Sequence, residues 1–255
     1  MAPPHRPPPR TLTVIGKSAV TPNMLRVTLG GSGLEGFPAG QQGGYVKLQL
    51  PQVEGKKAVR TYTIRNQRDG EIDLDFALHG DTATGHAGPA TEWALGVEPG
   101  ATIEVGGPGP AKPLPAGFGF YFVAGDLTAL PAIAVNLAAL PDNACGMAVI
   151  EVASPDDCQD LARPKGVDVV WLVTEQPGSR PDKLAEEARA AALPLEETYA
   201  WVACEFSAMQ ALRAYLRDEC GLGPDRLYIS SYWKSGLTED AHKLAKRADA
   251  EAQAD

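Results

Sequence analysis

The sequence predicts two domains in series, an N-terminal antiparallel β-barrel followed by a Rossmann-like parallel α/β domain. Three observations carry this. From Thr11 to about Glu104, short apolar–polar alternations recur between Gly and Pro turns, as half-buried antiparallel strands require. From about Phe118 the rhythm becomes strand, helix, strand, helix, with apolar strands suited to a parallel sheet covered by helices. Between them, Gly106-Gly107-Pro108-Gly109-Pro110-Ala111-Lys112-Pro113 reads as the boundary. The expected domains are 11–113 and 114–255, behind a tail at 1–10.

The tail holds Pro3, Pro4, Pro7, Pro8 and Pro9 and no apolar core for a secretory signal. It reads as polyproline-II, and a cytoplasmic location is expected. Strands are expected at 12–15, 24–29, 45–50, 61–64 and 72–78, where β-branched and aromatic residues alternate with polar ones. Pro89 just after Gly88 opens a helix reaching Leu95. In the second half, strands are expected at 120–124, 147–152, 167–173, 199–203 and 226–229. The intervening helices are 128–140, 181–192 and 208–219, and 238–250 reads as a solvated amphipathic end.

The 255 residues carry a net charge of −9, which argues against a general nucleic-acid or anionic-membrane binder. No apolar run approaches the roughly 20 residues that span a bilayer. Cys145, Cys158, Cys204 and Cys220 include no C-x-x-C pair. They read as free thiols rather than ligands of zinc or of an iron–sulfur cluster.

Charge is uneven. Between positions 47 and 68, Lys47, Lys56, Lys57, Arg60, Arg65 and Arg68 face Glu54 alone, a stretch able to attract an anion. For Lys56 and Lys57 a guarded strand edge is the plainer account. Arg60 and Tyr62 share a strand face. A diphosphate carrying a flat ring would use the guanidinium for its oxygens and the aromatic plate for stacking. Thr63 points to the other face and meets such a ring only through its backbone, or where the strand twists or ends.

Gly88-Pro89 leaves helix N–H groups open to an anion, although capping alone explains it equally well. His79, ending a strand, has no titratable partner at a spacing suited to acid–base work. Val123-Ala124-Gly125-Asp126-Leu127-Thr128 is a strand-to-helix turn where open α/β sheets bind nucleotides, without G-x-G-x-x-G. A second such turn ends in Cys204-Glu205-Phe206, and the two strand ends are placed to line one crevice. Tyr232-Trp233-Lys234 follows the last strand, as a core plug or as a cover for a flat cofactor.

Taken in order, these motifs resemble the siderophore-interacting protein family, flavin-dependent ferric-siderophore reductases of ferredoxin–NADP reductase-like architecture. The motifs are Arg60-x-Tyr62-Thr63-x-Arg65, Asp73-x-Asp75-Phe76-x-x-His79, Gly88-Pro89-Ala90-x-x-Trp93, Ala124-Gly125-Asp126-x-Thr128 and Tyr232-Trp233-Lys234-x-Gly236. The resemblance runs from roughly Thr11 to Asp240. It implies FAD as cofactor, with Arg60 on its diphosphate, Tyr62 stacked on the isoalloxazine and Thr63 near N5. Arg65 and His79 belong to the same cofactor-binding motifs, and Gly88, Ala90 and Thr91 would serve the diphosphate. Gly125, Asp126, Thr128 and Glu205 would border NADH or NADPH, and Trp233 would sit near the flavin.

The implied substrate is a ferric siderophore, its negative charge met by Lys47 and Lys234. No protein metal site and no catalytic side chain are expected, because the iron arrives chelated and the flavin does the chemistry. Two departures stand out. Val173-Thr174-Glu175 offers no cation where many relatives place an arginine for the 2′-phosphate of NADPH, so NADH is expected to serve at least as well unless another arginine, such as Arg180, folds back. Cys204 replaces a glycine common in relatives, which is expected to narrow the crevice. A monomer is expected. The rival readings are a reductase served by ferredoxin and a non-catalytic flavin or siderophore binder.

Overall fold

A computed structural model describes residues 8–51, 58–78 and 88–253. His79, Lys56 and Lys57 lie outside these. The chain divides between Pro113 and Leu114 into two compact units.

The first unit comprises β1 (Arg10–Thr21), β2 (Met24–Gly30), β3 (Tyr45–Leu50), β4 (Ala58–Arg68), β5 (Glu71–Ala77), α1 (Pro89–Gly96) and β6 (Thr102–Gly109). The strands close an antiparallel barrel in the order β1-β2-β5-β4-β3-β6. Strict alternation makes β3 legible, because Val46, Leu48 and Leu50 are fully buried while Tyr45, Lys47 and Gln49 are not. Each such burial contributes about 1.5–3 kcal/mol. β1 is longer than its sequence pattern suggests, since register shifts after Val14 and Ala19 break the alternation. It also takes Arg10 out of the expected tail. Arg10 pairs with Val105, and its guanidinium donates to the carbonyls of Gly33, Glu35 and Gly36.

The glycine-rich stretch read as a linker is half strand. β6 runs through Gly109 and pairs with β3. Gly109 lies against the Tyr45 ring, where any Cβ would collide with it. The glycines there serve close packing within the barrel rather than freedom between domains.

The second unit comprises β7 (Phe120–Asp126), α2 (Leu130–Ala138), β8 (Cys145–Val152), β9 (Gly166–Val173), α3 (Lys183–Ala190), β10 (Thr198–Glu205), α4 (Phe206–Arg213), β11 (Leu227–Trp233) and α5 (Glu239–Ala252). The sheet is parallel, in the order β11-β10-β7-β8-β9. Strand order therefore reverses between β7 and β10, the place where such sheets form a ligand crevice at their carboxyl ends. The helix expected to reach Glu219 changes to a π-turn over Ala214–Glu219. α5 is not merely solvated. His242 is buried with its Nε2 2.8 Å from Ser231 Oγ, and Asp249 pairs with Arg213 at 2.6 Å.

Candidate functional site

In the barrel the decisive geometry is a parting of strands. Among the described residues, β4 pairs with β5 only from Ile64 to Arg68, while its Ala58–Thr63 stretch is laddered to β3 alone. Beyond Leu74, β5 in turn pairs there only with β2. Arg60 and Tyr62 lie on the parted stretch, opposite the buried Leu48 and Val46 and therefore on their face of the sheet. Tyr62 packs on Phe76 at 4.1 Å between ring centroids, and Phe76 on Trp93 of α1 at 5.7 Å. This aromatic chain brings the Arg60–Tyr62 strand and the start of α1 together. Gly88 is the N-cap in extended conformation, Pro89 opens the helix, and Ala90 and Thr91 are buried beneath it. A strand edge parted from its neighbour can receive a ligand's polar atoms.

Thr63 stays off the Tyr62 face. It pairs with Tyr45, and Thr61 with Lys47, so these four share the opposite face. The bulge comes only between Ile64 and Asn66. Lys47 thus stands on the strand beside Arg60 and Tyr62 but across the sheet from their side chains.

Much of the cationic stretch is neutralised by the barrel's own acids. Arg68 grips buried Asp73 at 2.5 and 2.9 Å and Glu71 at 2.8 Å. Arg26 grips Asp75 at 2.6 and 2.8 Å, with Arg65 at 3.9 Å from the same carboxylate. Burial pushes the Asp73 carboxyl up, but hydrogen bonds from Arg68, Asn66 and Thr28 outweigh it and hold its pKa at about 2. Arg65 and Arg68 are consequently structural as much as attractive to an anion. The Arg60 guanidinium donates to the Val59 carbonyl at 3.1 Å, a neighbour on its own strand.

At the carboxyl edge of the second unit's sheet, Asp126 ties the strand ends together. Its Oδ1 accepts from the Thr128 N–H at 2.9 Å and the Thr128 hydroxyl at 2.5 Å. Its Oδ2 accepts from the Glu205 N–H and the Trp233 indole N–H, each at 2.8 Å. Glu205 caps α4 by accepting from the N–H groups of Ser207 and Ala208, and it also accepts from Ser235 at 3.1 Å. Gly125 fits because a Cβ would stand 2.6 Å from the Ala203 carbonyl. These residues come together as expected, yet their polar atoms are taken up in building the crevice. Lys234 is held over the Phe206 ring at 4.1 Å.

The comparisons with known proteins fit both geometries. A family model described as the siderophore-interacting FAD-binding domain matches residues 13–59 and 50–112, and one described as siderophore-interacting protein matches residues 119–236. The chain belongs to the siderophore-interacting protein family. It is 34% identical to the ferric vibriobactin reductase ViuB of Vibrio cholerae over 92% of each chain. It also superposes on the siderophore-interacting protein SipS of Aeromonas hydrophila with a TM-score of 0.84 at 32% identity, covering 96% and 98% of the two chains. A flavohemoglobin from Malassezia yamatoensis, TM-score 0.65 and 15% identity over 89% of this chain and 60% of that one, shares the fold. The architecture is thus the ferredoxin–NADP reductase-like one.

Within this member of the family, three features depend on tertiary contacts. Cys204 does not narrow the crevice, because its side chain packs in the apolar cluster with Phe206, Met209 and Leu212. Burial, then the neighbouring carboxylates, pushes its thiol pKa up. Arg180 and Lys183 line a cavity of about 330 Å³ with Thr174 and Glu175, so the cations missing beside Thr174 in sequence arrive from the approach to α3 and its first turn. Glu151, next to last in β8, is buried and its Oε1 has no partner among the described residues. Burial raises its pKa, against a hydrogen bond from Thr174. An apolar strand context, Val149-Ile150-Glu151-Val152, is the one signal that pointed to it.

Proposed function

We propose that this chain is an FAD-containing oxidoreductase that reduces Fe³⁺ held in a siderophore, with NADH or NADPH as reductant. The parted β4–β5 edge supports the reading, since Arg60 and the half-buried Tyr62 lie on it and Tyr62 is linked through Phe76 to Trp93 of the helix that opens at Gly88. That donor set suits a diphosphate attached to a flat ring. When bound, FAD supplies the conversion from a two-electron donor to one-electron delivery, which no amino-acid side chain provides.

The chain's own residues bind and orient. Arg60 and the first N–H groups of α1 would hold phosphate oxygens, and Tyr62, braced by Phe76, would fix the plane of the ring. Thr63 contributes through its backbone on the parted edge. Lys47 of the barrel or Lys234 of the second unit would meet the negative charge of the chelate, whose hard oxygen ligands bind Fe²⁺ less tightly than Fe³⁺. At the sheet edge, the Asp126–Trp233–Glu205 frame sets the floor for the nucleotide, and the Thr174–Lys183 cavity adjoins it. Arg180 and Lys183 there favour acceptance of a 2′-phosphate, against the expectation drawn from Thr174-Glu175 alone.

The decisive experiment is steady-state oxidation of NADH and of NADPH with a ferric siderophore while Fe²⁺ is trapped, on protein whose visible spectrum shows one FAD. Nucleotide oxidation that depends on the chelate and releases Fe²⁺ is the expected result. Bound flavin without turnover favours the non-catalytic binder, and turnover only with reduced ferredoxin favours the protein donor. Tyr62→Ala should lose most of its FAD on gel filtration, since stacking alone is worth about 1 kcal/mol beyond burial. Retention of full flavin by that variant contradicts the placement.

A further inference from the structure

The loop after β9 does something that no expectation from sequence covers. It is pinned at its start, where the Thr174 N–H donates to Val152 at 2.9 Å, and Lys183 Nζ ties its far end to the Val173 carbonyl at 3.0 Å. Between these points Pro177, Gly178 and Pro181 are half-buried, while Glu175, Gln176, Ser179 and Arg180 are exposed. β9 is the outermost strand on its side, yet Gly178 reaches residues at the ends of two others. A Cβ on it would stand 3.1 Å from Glu205 Cγ of β10 and 3.2 Å from the Trp233 indole of β11. That indole is itself docked on Asp126 of β7. The loop therefore crosses the point where strand order reverses, and it lays Gly178 on the Trp233 indole of the crevice floor.

We propose that the 174–179 segment is a strap over the crevice, and that NADH or NADPH enters by lifting Gly178 from Trp233 and Glu205. The proposal deepens the nucleotide reading above and rests on it. Two local features suit a strap that opens. Gly178 has φ of 79°, a conformation a side chain disfavours. The seal rests on Gly178 against Glu205 and Trp233, so few contacts are lost on lifting. A closed crevice also ranks reductants, because a protein donor that delivers single electrons has no need of it. Closure reduces apparent nucleotide affinity in proportion to the fraction of molecules that are open.

Gly178→Val removes both the permitted backbone conformation and the space for the seal. In the FAD-loaded protein this variant should bind NAD⁺ and NADP⁺ about three- to tenfold more tightly by calorimetry, a range set by the open fraction. Hydrogen exchange in residues 174–180 should rise in the variant, and in the wild type on adding either nucleotide. Unchanged or weaker binding despite faster exchange overturns the proposal, as does wild-type binding that leaves exchange in 174–180 unaltered. The wild-type arm stands even if the valine variant fails to fold. If neither nucleotide binds either protein, the strap and the nucleotide reading fall together. Dithionite-driven release of Fe²⁺ from a ferric siderophore, in the same preparation, then shows whether the reductase reading survives.

Discussion

The two units bury acids in opposite ways. In the barrel, Asp73 and Asp75 are clamped by Arg68 and Arg26, with Arg65 nearby. At the sheet edge of the second unit, Asp126, Glu151 and Glu205 are equally buried and none forms a salt bridge among the described residues. Asp126 and Glu205 are satisfied instead by backbone N–H groups, a hydroxyl and an indole, while Glu151 keeps one oxygen unpartnered among the described residues. A carboxylate paired with arginine is saturated and holds strands in place. One held by neutral donors keeps its charge effective within the crevice, and changes there should reach ligand binding as well as stability.

The largest effect on that contrast is expected from Asp126→Ala. It strands the Glu205 N–H and the Trp233 indole and frees Thr128, so chemical denaturation should show a loss of about 3–4 kcal/mol, together with a shift in Trp fluorescence. A loss below about 1 kcal/mol, the worth of a single ordinary hydrogen bond, would mean that the frame is not held through Asp126.

Asp73→Asn tests the barrel. It should cost about 2–3 kcal/mol, because Arg68 loses a buried partner. The wild-type contribution of Asp73 is complete above the unfolded carboxyl pKa of about 3.9 and is lost as pH falls toward its folded value of about 2. The variant and wild type should therefore converge only in strong acid, and convergence already near the unfolded carboxyl pKa contradicts the pairing.

Lys47→Ala probes the barrel cation proposed to meet the substrate. A three- to thirtyfold fall in siderophore kcat/KM is expected, roughly 0.7–2 kcal/mol, with FAD content unchanged and a weaker salt dependence. Equal kinetics at low salt would make Lys47 an ordinary strand lysine.

Glu151→Gln should have the smallest effect and the opposite sign. The folded carboxyl pKa is raised, so the Glu151 contribution is fully present below the unfolded value of about 4.3 and is lost as pH rises through the folded one. At about pH 8 the variant should match or exceed wild type by up to about 1 kcal/mol. A clear loss there would show that Glu151 is fully paired.

The barrel-then-sheet order, the Arg60–Tyr62 face, the helix opening at Gly88 and the two strand-to-helix turns were all legible in the chain. Each depends on neighbours within a few residues, through period-two alternation or the geometry of a helix start. Which charges survive and which surface stays open depends on contacts far apart in sequence. Arg26 meets Asp75 across 49 residues, the Glu205 N–H meets Asp126 across 79, and the Trp233 indole meets it across 107. The same holds for the parting of β4 from β5, for Gly109 beneath Tyr45 and for the strap over the crevice. Local pattern states which face a side chain takes; whether that face is neutralised, covered or open depends on partners that only the closed barrel and the assembled sheet bring near.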